Sequence, residues 1–324
     1  MVVPTIGRPS LVTLLRALQD GHGPVPGTVF VVDDRGDAGT KIDLLALSDP
    51  FASRIRLLAT RRKGPAAARN VGWRASRAEW VAFLDDDVVP TPRWKQDLEA
   101  DLIDLPADVA GSQGNITVPL PHDRPPTDWE RNVAGLESGQ WITADMAYRR
   151  NVLEEVGGFD ERFIRAYRED ADLALRVRRA GYALVVGRRR SNHPVRPASP
   201  WVSVRLQAGN ADDVLMRALH GDWDPEQRRR GRKRAHVLTT VTGITFLAAL
   251  ALRRRRMASV AGLVWSGGTA RFAWARIAPG PRDPKEIATM VLTSVVIPPA
   301  ATAWLAIGLV RWRLRTRAAS ASPG

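Results

Sequence analysis

The stretch WVAFLDDDVVP, residues 80–90, places three consecutive aspartates directly after five largely apolar residues. Asp85, Asp86 and Asp87 repel one another, so a ligand or partner of opposite charge is expected to hold them together. A strand-end Asp-x-Asp presents its first and third carboxylates close enough to share a divalent cation. Mg²⁺ and Mn²⁺ prefer such oxygen ligands and usually complete their coordination on substrate phosphates. The stretch therefore predicts a β-strand that ends at a metal and diphosphate site, with a solvated acidic turn as the alternative.

Other short apolar runs surround this stretch and alternate with helical patterns. MVVP, TVFVVDD and RIRLLAT are rich in Val, Leu and Phe and end at polar residues, as EWVAFLDDD does, which is typical of strands. Residues 10–20, 38–47 and 65–76 carry helical spacing between them. This alternation predicts an α/β fold with a mostly parallel sheet flanked by helices.

Polar residues follow two of these predicted strands. Ligands of open α/β sheets bind outside the carboxyl ends of the strands, which is where Asp33, Asp34 and the aspartate triplet fall. Thr91, followed by Pro92, predicts the N-cap and first turn of the next helix.

A second carboxylate pair occurs beyond a Pro-rich loop at 118–130. QWITADMAYRR predicts a strand, RNVLEEVGG a short helix, and REDADLALRVRRAG an amphipathic helix that Gly181 ends. Glu169 and Asp170 open this last helix. They could supply a base that takes the proton of an attacking hydroxyl. They could also be first-turn acids that complement the helix dipole.

The positive charge of the chain is concentrated at its carboxyl end. The net charge is +14, yet residues 1–220 carry 30 basic and 29 acidic side chains, whereas residues 221–324 carry 18 and 5. A neutral body with a basic, apolar tail predicts contact with an anionic membrane surface, and no nucleic acid partner is expected. Cysteine is absent, which excludes disulfides, thiolate metal sites and cysteine nucleophiles.

The tail contains two apolar runs flanked by arginines. Residues 287–310 form 24 residues without a charge, long enough to span a bilayer, while 235–252 is marginal. We expect one or two membrane-inserted or interfacial helices here, with a buried helical hairpin as the alternative, and Pro298–Pro299 to kink or break the second helix. The predicted domains are a catalytic domain at 1–220 and this helical region at 221–324. With no signal peptide apparent, the predicted location is the inner (cytoplasmic) membrane with the catalytic domain cytoplasmic.

Six segments together resemble a known family. VVPTIGRPS, VVDD, GPAAARNVGW, VAFLDDDVVP, ADMAYRR…EEVGGFDERF and REDADLALRVRRAGY occur in the order and approximate spacing of the inverting family 2 glycosyltransferases, over roughly residues 1–195. The resemblance implies the Rossmann-like GT-A fold, a nucleotide-diphosphate sugar donor, Mn²⁺ or Mg²⁺, a carboxylate base, and inversion at the anomeric carbon. The Gln-x-x-Arg-Trp motif of processive synthases is absent, which favours transfer of a single hexose per acceptor.

The resemblance also implies roles for individual residues on the donor side. Pro4 and Thr5 would border the nucleotide, and Asp34, or Asp33, would accept a hydrogen bond from its base. Arg69 would reach the nucleotide from the side.

The resemblance also implies which residues bind the metal and which residue acts as the catalytic base. Asp85 would lie near the ribose and sugar, with Asp86 beside it in the nucleotide-sugar site, and Asp87 would be the direct metal ligand together with Asp85. His193 would supply a third metal or phosphate contact. Asp170 matches the catalytic base, with Glu169 orienting it or touching the acceptor.

Two features depart from the family pattern or stay outside it. Asp145 replaces the usual Asn of Asn-Met-Ala on the acceptor-side strand, which puts a donor-sugar role for it in doubt. Arg188, Arg189 and Arg190 are predicted to form a solvated basic loop in preference to a diphosphate contact.

Two other functional classes remain as alternatives at this point. One is a nucleotidyltransferase on a related sheet, although PTIGRPS is a poor match to its Gly-rich first loop. The other is a non-catalytic basic protein that binds membranes or nucleic acid through its tail. The predicted membrane contact makes a lipid-linked or envelope glycan a plausible acceptor, and the preference for Arg over Lys suggests a bacterial source.

Overall fold

In a computed structural model, the chain forms an eight-stranded sheet flanked by helices, followed by a helical region; residues 1–24, 27–36, 47–221 and 227–321 are described. The strands are β1 (Val2–Thr5), β2 (Val29–Asp33), β3 (Ile55–Ala59), β4 (Trp80–Leu84), β5 (Val89–Pro90), β6 (Val109–Thr117), β7 (Asp145–Arg149) and β8 (Ala183–Asn192). The helices of the sheet region are α1 (Ser10–Asp20), α2 (Asp49–Ala52), α3 (Pro65–Ala75), α4 (Trp94–Leu102), α5 (Asp128–Ala134), α6 (Arg150–Glu155) and α7 (Glu169–Arg179). The later helices are α8 (Val202–Arg205), α9 (Gly209–His220), α10 (Gln227–Ala251), α11 (Arg255–Ile277) and α12 (Pro284–Ala321).

Among the described residues the sheet is mixed, with four parallel and three antiparallel strand pairs, which agrees with the expected mostly parallel sheet. Its order is β3-β2-β1-β4-β7-β6-β8-β5. The first four strands in this order run parallel, as the alternating βα pattern predicts. β7 then pairs antiparallel with both β4 and β6, while β8 runs parallel to β6 and antiparallel to β5. The sequence pattern of β7 gives its existence but not its direction.

The core lies between the sheet and its helices. α1 buries Leu11, Leu14, Leu15 and Leu18, the spacing of one helix face. α3 packs directly on β1 at Gly72. A Cβ at this position would lie 2.3 Å from the Val2 side chain, so only glycine allows this approach. This close packing holds α3 against the sheet.

Most predicted elements are confirmed, and one boundary is wrong. The structure contains the predicted strands and the helices at 10–20 and 65–76, as well as α6 and α7. The helix after the aspartates begins at Trp94, not at Thr91, because the Thr91 carbonyl accepts the Trp94 N–H in a preceding turn. Apart from Leu47, the predicted helix at 38–47 lies outside the described residues.

The chain divides into two compact units. The first comprises residues 1–119 and 133–195, and the second comprises 120–132 and 196–324, a division that differs from the predicted boundary after residue 220. Within the second unit, the buried guanidinium of Arg276 in α11 binds Asp128 at 2.8 Å and also donates to Thr293 and Ser294 of α12. This ion pair explains why the Pro-rich segment belongs to the helical unit.

Three long helices follow where one or two were predicted. The segment between the two predicted helices, residues 253–286, is largely α11, and Pro298–Pro299 lie inside α12 without ending it. Residues Gly231–Ala251 and Pro284–Thr316 each contain an 18-residue window of high mean hydropathy, 1.3 and 1.8, and are long and apolar enough to cross a membrane.

Candidate functional site

The three aspartates that follow β4 each contact a different partner. The Arg69 guanidinium binds Asp85 at 2.7 Å, and Arg8 binds Asp86 at 2.7 Å. His193 Nε2 lies 3.5 Å from Asp87 Oδ1. The mutual repulsion of the triplet is therefore offset by three separate basic groups, two of them permanently charged.

The side chain of Asp86 is buried and hydrogen-bonded within the protein. It is 1% exposed, and it accepts hydrogen bonds from Thr5 Oγ1 at 2.6 Å and from Arg8 at 2.7 Å. Thr5 in turn accepts the N–H of Gly7. Thr5 and Asp86 thus hold the end of β1 against the end of β4, while Pro4 lies inside β1. Arg8 was not singled out from the sequence, although a cation just after a strand that neighbours an acidic strand end is a usable signal.

Arg69 joins the two carboxylate clusters. The side chain is 2% exposed, and it donates to Glu169 Oε1 at 2.8 Å and to Asp85 Oδ1 at 2.7 Å. Its guanidinium also lies 5.6 Å from the centre of the Phe159 ring. Two nitrogens of Arg69 bind carboxylates of the protein. Its predicted contact with the nucleotide remains a prediction.

Buried atoms at this bridge are left without partners. Arg69 Nε and Glu169 Oε2 have no hydrogen-bond partner among the described residues. Buried polar atoms are normally paired, and exceptions often mark a functional site. Arg168, immediately before α7, has a φ of 80°, a left-handed conformation that is unfavourable for a residue with a side chain.

Burial dominates the electrostatics of the carboxylates that begin α7. It raises the pKa of Glu169, and the negative charge of Asp170 raises it further; Arg69 opposes both effects, and the pKa remains raised, at about 8. Burial likewise raises the pKa of Asp170, against the N–H of Ala171, which donates to its Oδ1 at 2.7 Å. A carboxylate with a raised pKa is a stronger proton acceptor than one in water.

Asp87 and His193 form the other part of the site. They are 6% and 8% exposed, and His193 Nδ1 has no hydrogen-bond partner among the described residues. The described residues contain no group of three or more His, Asp or Glu side chains that could hold a metal by themselves. The pair, with Asp85 nearby in sequence, fits a cation such as Mn²⁺ that takes its remaining ligands from substrate phosphates.

A cleft lies beside the ends of β1 and β2. Asp34 Oδ1 accepts hydrogen bonds from Thr60 and from the N–H of Lys63, and Oδ2 accepts the N–H of Gly64. The volume of the cleft is about 510 Å³. Its lining includes Ile6, Asp34, Arg35, Arg62, Gly64 and Ile164. Asp33 instead forms a bidentate pair with Arg35. Of the two predicted aspartates, Asp34 therefore lines the cleft.

Asp145 belongs to a buried ion-pair network. It is 1% exposed and accepts hydrogen bonds from Arg189 Nε at 2.7 Å, Trp94 Nε1 at 2.6 Å and Ser191 Oγ at 2.6 Å. Arg189 also binds Asp101 at 3.2 Å. The fully occupied carboxylate explains why an acid replaces the family's usual Asn here, since it neutralises a buried arginine.

The predicted basic loop at Arg188, Arg189 and Arg190 is wrong, because these residues lie in β8. Arg189, Ser191 and His193 are buried at alternate positions, whereas Arg188 and Arg190 are exposed. Alternation of two is the signature of a strand with one buried face, and it was readable in GRRRSNH. The same alternation directs His193 inward, towards Asp87.

Comparisons with known proteins identify a family and several relatives. Residues 2–176 match the model of the family described as Glycosyl transferase family 2. The pre-mycofactocin glycosyltransferase of Mycobacterium tuberculosis is 32% identical over 193 residues, which cover 54% of this chain and 37% of that protein. The succinoglycan biosynthesis protein ExoO of Rhizobium meliloti is 38% identical over 105 residues, which cover 31% of this chain and 28% of that protein. The chain thus spans between 28% and 37% of the length of these relatives. The crystal structure of GalNAc-T7 with UDP, GalNAc and Mn²⁺ is 15% identical, with a TM-score of 0.48 over 65% of this chain and 48% of that one.

Proposed function

The chain belongs to glycosyl transferase family 2 and is a glycosyltransferase, and from that membership we propose a specific reaction. It moves a single hexose from a nucleotide-diphosphate sugar to a hydroxyl acceptor, with inversion at the anomeric carbon. The observation that carries this proposal is the position of Arg69 between two carboxylate clusters. Its guanidinium binds Asp85 of the aspartate triplet, on the donor side, and Glu169 beside Asp170, on the side of the base. The nucleotidyltransferase and non-catalytic alternatives are set aside because the family model covers both clusters.

The donor is bound by its nucleotide in the cleft beside β1 and β2. Exposed apolar side chains of Ile6 and Ile164 form walls suited to a planar base, and the carboxylate of Asp34 lies among them. The fixed hydrogen bonds of Asp34 to Thr60 and to the N–H of Gly64 hold this carboxylate in place. Nucleotide recognition therefore needs little rearrangement of the protein.

The diphosphate lies towards Asp87 and His193, which would hold Mn²⁺ or Mg²⁺ together with Asp85. When bound, such a cation neutralises the negative charge that develops on the departing nucleoside diphosphate. Asp87 keeps its position by contact with His193, and Asp85 by its bond to Arg69.

Asp170 accepts the proton of the acceptor hydroxyl as the new glycosidic bond forms. The bond from the anomeric carbon to the diphosphate oxygen breaks in the same displacement, so attack from the opposite face inverts the configuration. Glu169 anchors the first turn of α7 to Arg69 and thereby positions Asp170. Glu169 is a positioning residue in this scheme.

The second unit associates the enzyme with a membrane. The core helix of a soluble protein is mostly buried, whereas only 11% of the apolar window in α10 and 33% of that in α12 is buried within the protein. Arginines flank both apolar segments, as expected near anionic headgroups. In this proposal the membrane is the inner membrane, the catalytic domain lies on its cytoplasmic side, and the acceptor is a lipid-linked or envelope glycan.

We expect Asp87→Ala to lower nucleoside diphosphate release by about 100-fold, because the variant loses a ligand of the charge-stabilising cation. The assay presents a panel of nucleotide-diphosphate sugars with Mn²⁺, Mg²⁺ or EDTA. In parallel, Mn²⁺ plus the matching nucleoside diphosphate should raise the melting temperature of the wild type, since a ligand that binds only the folded state stabilises it. The Mn²⁺-dependent part of that shift should disappear in the variant.

The matched control is Asp104→Ala, an exposed aspartate after α4. It should keep both the activity and the metal-dependent shift. Wild-type activity that survives EDTA, or an Asp87→Ala variant as active as the control, would remove the metal from the proposal. Release of pyrophosphate in place of a nucleoside diphosphate would overturn sugar transfer itself.

A further inference from the structure

α10 and α11 pack closely as an antiparallel pair. An added Cβ at Gly243 would lie 2.9 Å from Trp265, and one at Gly262 would lie 3.0 Å from Phe246. Farther along, the rings of His236 and Phe272 meet edge to face with centroids 4.9 Å apart. This register places the beginning of α10 beside the end of α11.

A cavity of about 810 Å³ opens at this level, lined by α10, α11 and Pro298 of α12. Its basic residues are Arg232 and His236 of α10 with Arg271 and Arg276 of α11, and no acidic side chain lines it among the described residues. Arg276 is already neutralised by Asp128. The cavity therefore presents uncompensated positive charge.

Arg232 and Arg271 are the two cations available to a ligand. Both are exposed, and neither forms an ion pair or a side-chain hydrogen bond within the described part of the chain. A guanidinium offers paired N–H donors that match the oxygens of a phosphate group. Two guanidinium groups that line one cavity favour a phosphate.

The other walls decide what carries the phosphate. Val264, Phe272 and Pro298 line the cavity, and exposed aliphatic side chains continue from it along both helices. Leu247 of α10 is 64% exposed and Leu263 of α11 is 75% exposed. A free phosphate or a nucleic acid would leave this apolar surface uncovered. An anionic lipid matches both the positive charge of the cavity and the apolar surface that continues from it.

We propose that the cavity between α10 and α11 binds the phosphate headgroup of an anionic membrane lipid. Arg232 and Arg271 contact the phosphate, and the acyl chains lie along the exposed aliphatic side chains of the two helices. This rests on the membrane association in the proposed function, but not on the chemistry of the catalytic site. It assigns a lipid class to a site in the second unit.

The test measures lipid retained by the full-length chain after purification in mild detergent that contains phosphatidic acid or phosphatidylcholine with the same acyl chains. We expect the wild type to retain phosphatidic acid at least about 10-fold over phosphatidylcholine, and Arg232→Gln with Arg271→Gln to lose that preference. Arg232→Lys with Arg271→Lys keeps the charge and should retain most of it. Because both arginines are exposed and unpaired within the described residues, unchanged melting temperatures are expected.

The control pair is Arg255→Gln with Arg256→Gln, which removes the same charge from the beginning of α11, away from the cavity. It should keep the preference. Equal loss in both pairs would show only a general basic surface, and displacement of the lipid by millimolar inorganic phosphate would show a free-phosphate site. Either result overturns the proposal.

A separate flotation experiment with vesicles of phosphatidylcholine, with or without about one fifth phosphatidic acid, distinguishes the levels of failure. If the wild-type chain does not float with either vesicle, the membrane association fails, and the lipid site fails with it. If it floats while the glutamine pair retains phosphatidic acid normally, only the lipid site fails. Nucleoside diphosphate release, measured independently, reports on the catalytic proposal.

Discussion

Asp170→Asn is expected to lower the turnover number for sugar transfer by about 1,000-fold while leaving donor binding unchanged. The amide has the size of the carboxylate but cannot accept the hydroxyl proton, and positioned general bases contribute roughly 10²- to 10⁴-fold. Asp170 is half-buried at the beginning of α7, so an isosteric change disturbs little packing. Nucleoside diphosphate release gives the turnover number, and the Mn²⁺-dependent melting shift reports donor-side binding.

The pH profile sharpens this prediction. Burial raises the pKa of Asp170, so in the wild type the base becomes ionised only as the pH rises above the ordinary aspartate range near about 3.9. Activity should therefore rise with pH on an acid limb displaced upward, and the residual activity of the variant should lack that limb. Asp104→Asn is the matched control. A variant that keeps the wild-type turnover number, or one that loses nucleotide binding to the same degree, contradicts the role of base.

The positions of the aspartates after β2 and β4 were predictable because parallel strands run in the same direction. β1, β2 and β4 run parallel, so the residues after each strand meet at one edge of the sheet. This is why Asp34 and Asp87, which are far apart in sequence, both belong to the first unit's carboxyl edge. The direction of β7 was not predictable, since an antiparallel strand buried on both faces has the same apolar pattern as a parallel one.

The contacts of the individual carboxylates were less predictable. Arg69 and Glu169 are separated by 100 residues, and no local pattern reveals that one arginine bridges two acidic clusters. The motif GPAAARN implies a site residue, but its partner depends on how α3 and α7 pack on the sheet. Arg189 was missed for a different reason: three consecutive arginines suggested solvent exposure, which concealed the alternation of a strand.

In the helical unit, too, a contact between residues far apart in sequence was not predictable from local patterns. α11 contains Arg271 and Arg276, and no helix was predicted between the two apolar runs at 235–252 and 287–310. Arg276 is buried only because Asp128, 148 residues away in sequence, neutralises it. Its burial thus depends on a tertiary partner that local spacing does not reveal.

Arg69→Met is expected to destabilise the fold by roughly 3–5 kcal/mol at about pH 9, because it removes the cation from a buried pair and leaves Glu169 uncompensated. The loss should be smaller at about pH 6. Without Arg69, burial and Asp170 raise the pKa of Glu169 further, so the folded variant binds a proton that the unfolded chain releases above about 4.3. Stability therefore falls as pH rises from that value to the folded-state pKa, which is about 8 in the wild type and higher in the variant. Both proteins lose stability together below about pH 8 and only the variant loses more above it, so the gap should widen between about pH 8 and about pH 9.

Urea unfolding at the two pH values measures the gap, provided that the dependence on denaturant is unchanged. Arg74→Met is the control on the same helix: Arg74 is about half exposed, its nearest acid, Glu161, lies 3.6 Å away, and its loss should cost less than about 1 kcal/mol. Arg69→Met combined with Glu169→Gln should recover most of the stability, since Asp85 remains 30% exposed and can be hydrated. If Arg69→Met lost the same stability at both pH values, or if the double variant were no more stable than the single one, Glu169 would not be the charge that Arg69 compensates, and the joining of the two carboxylate clusters would have to rest on Asp85 alone.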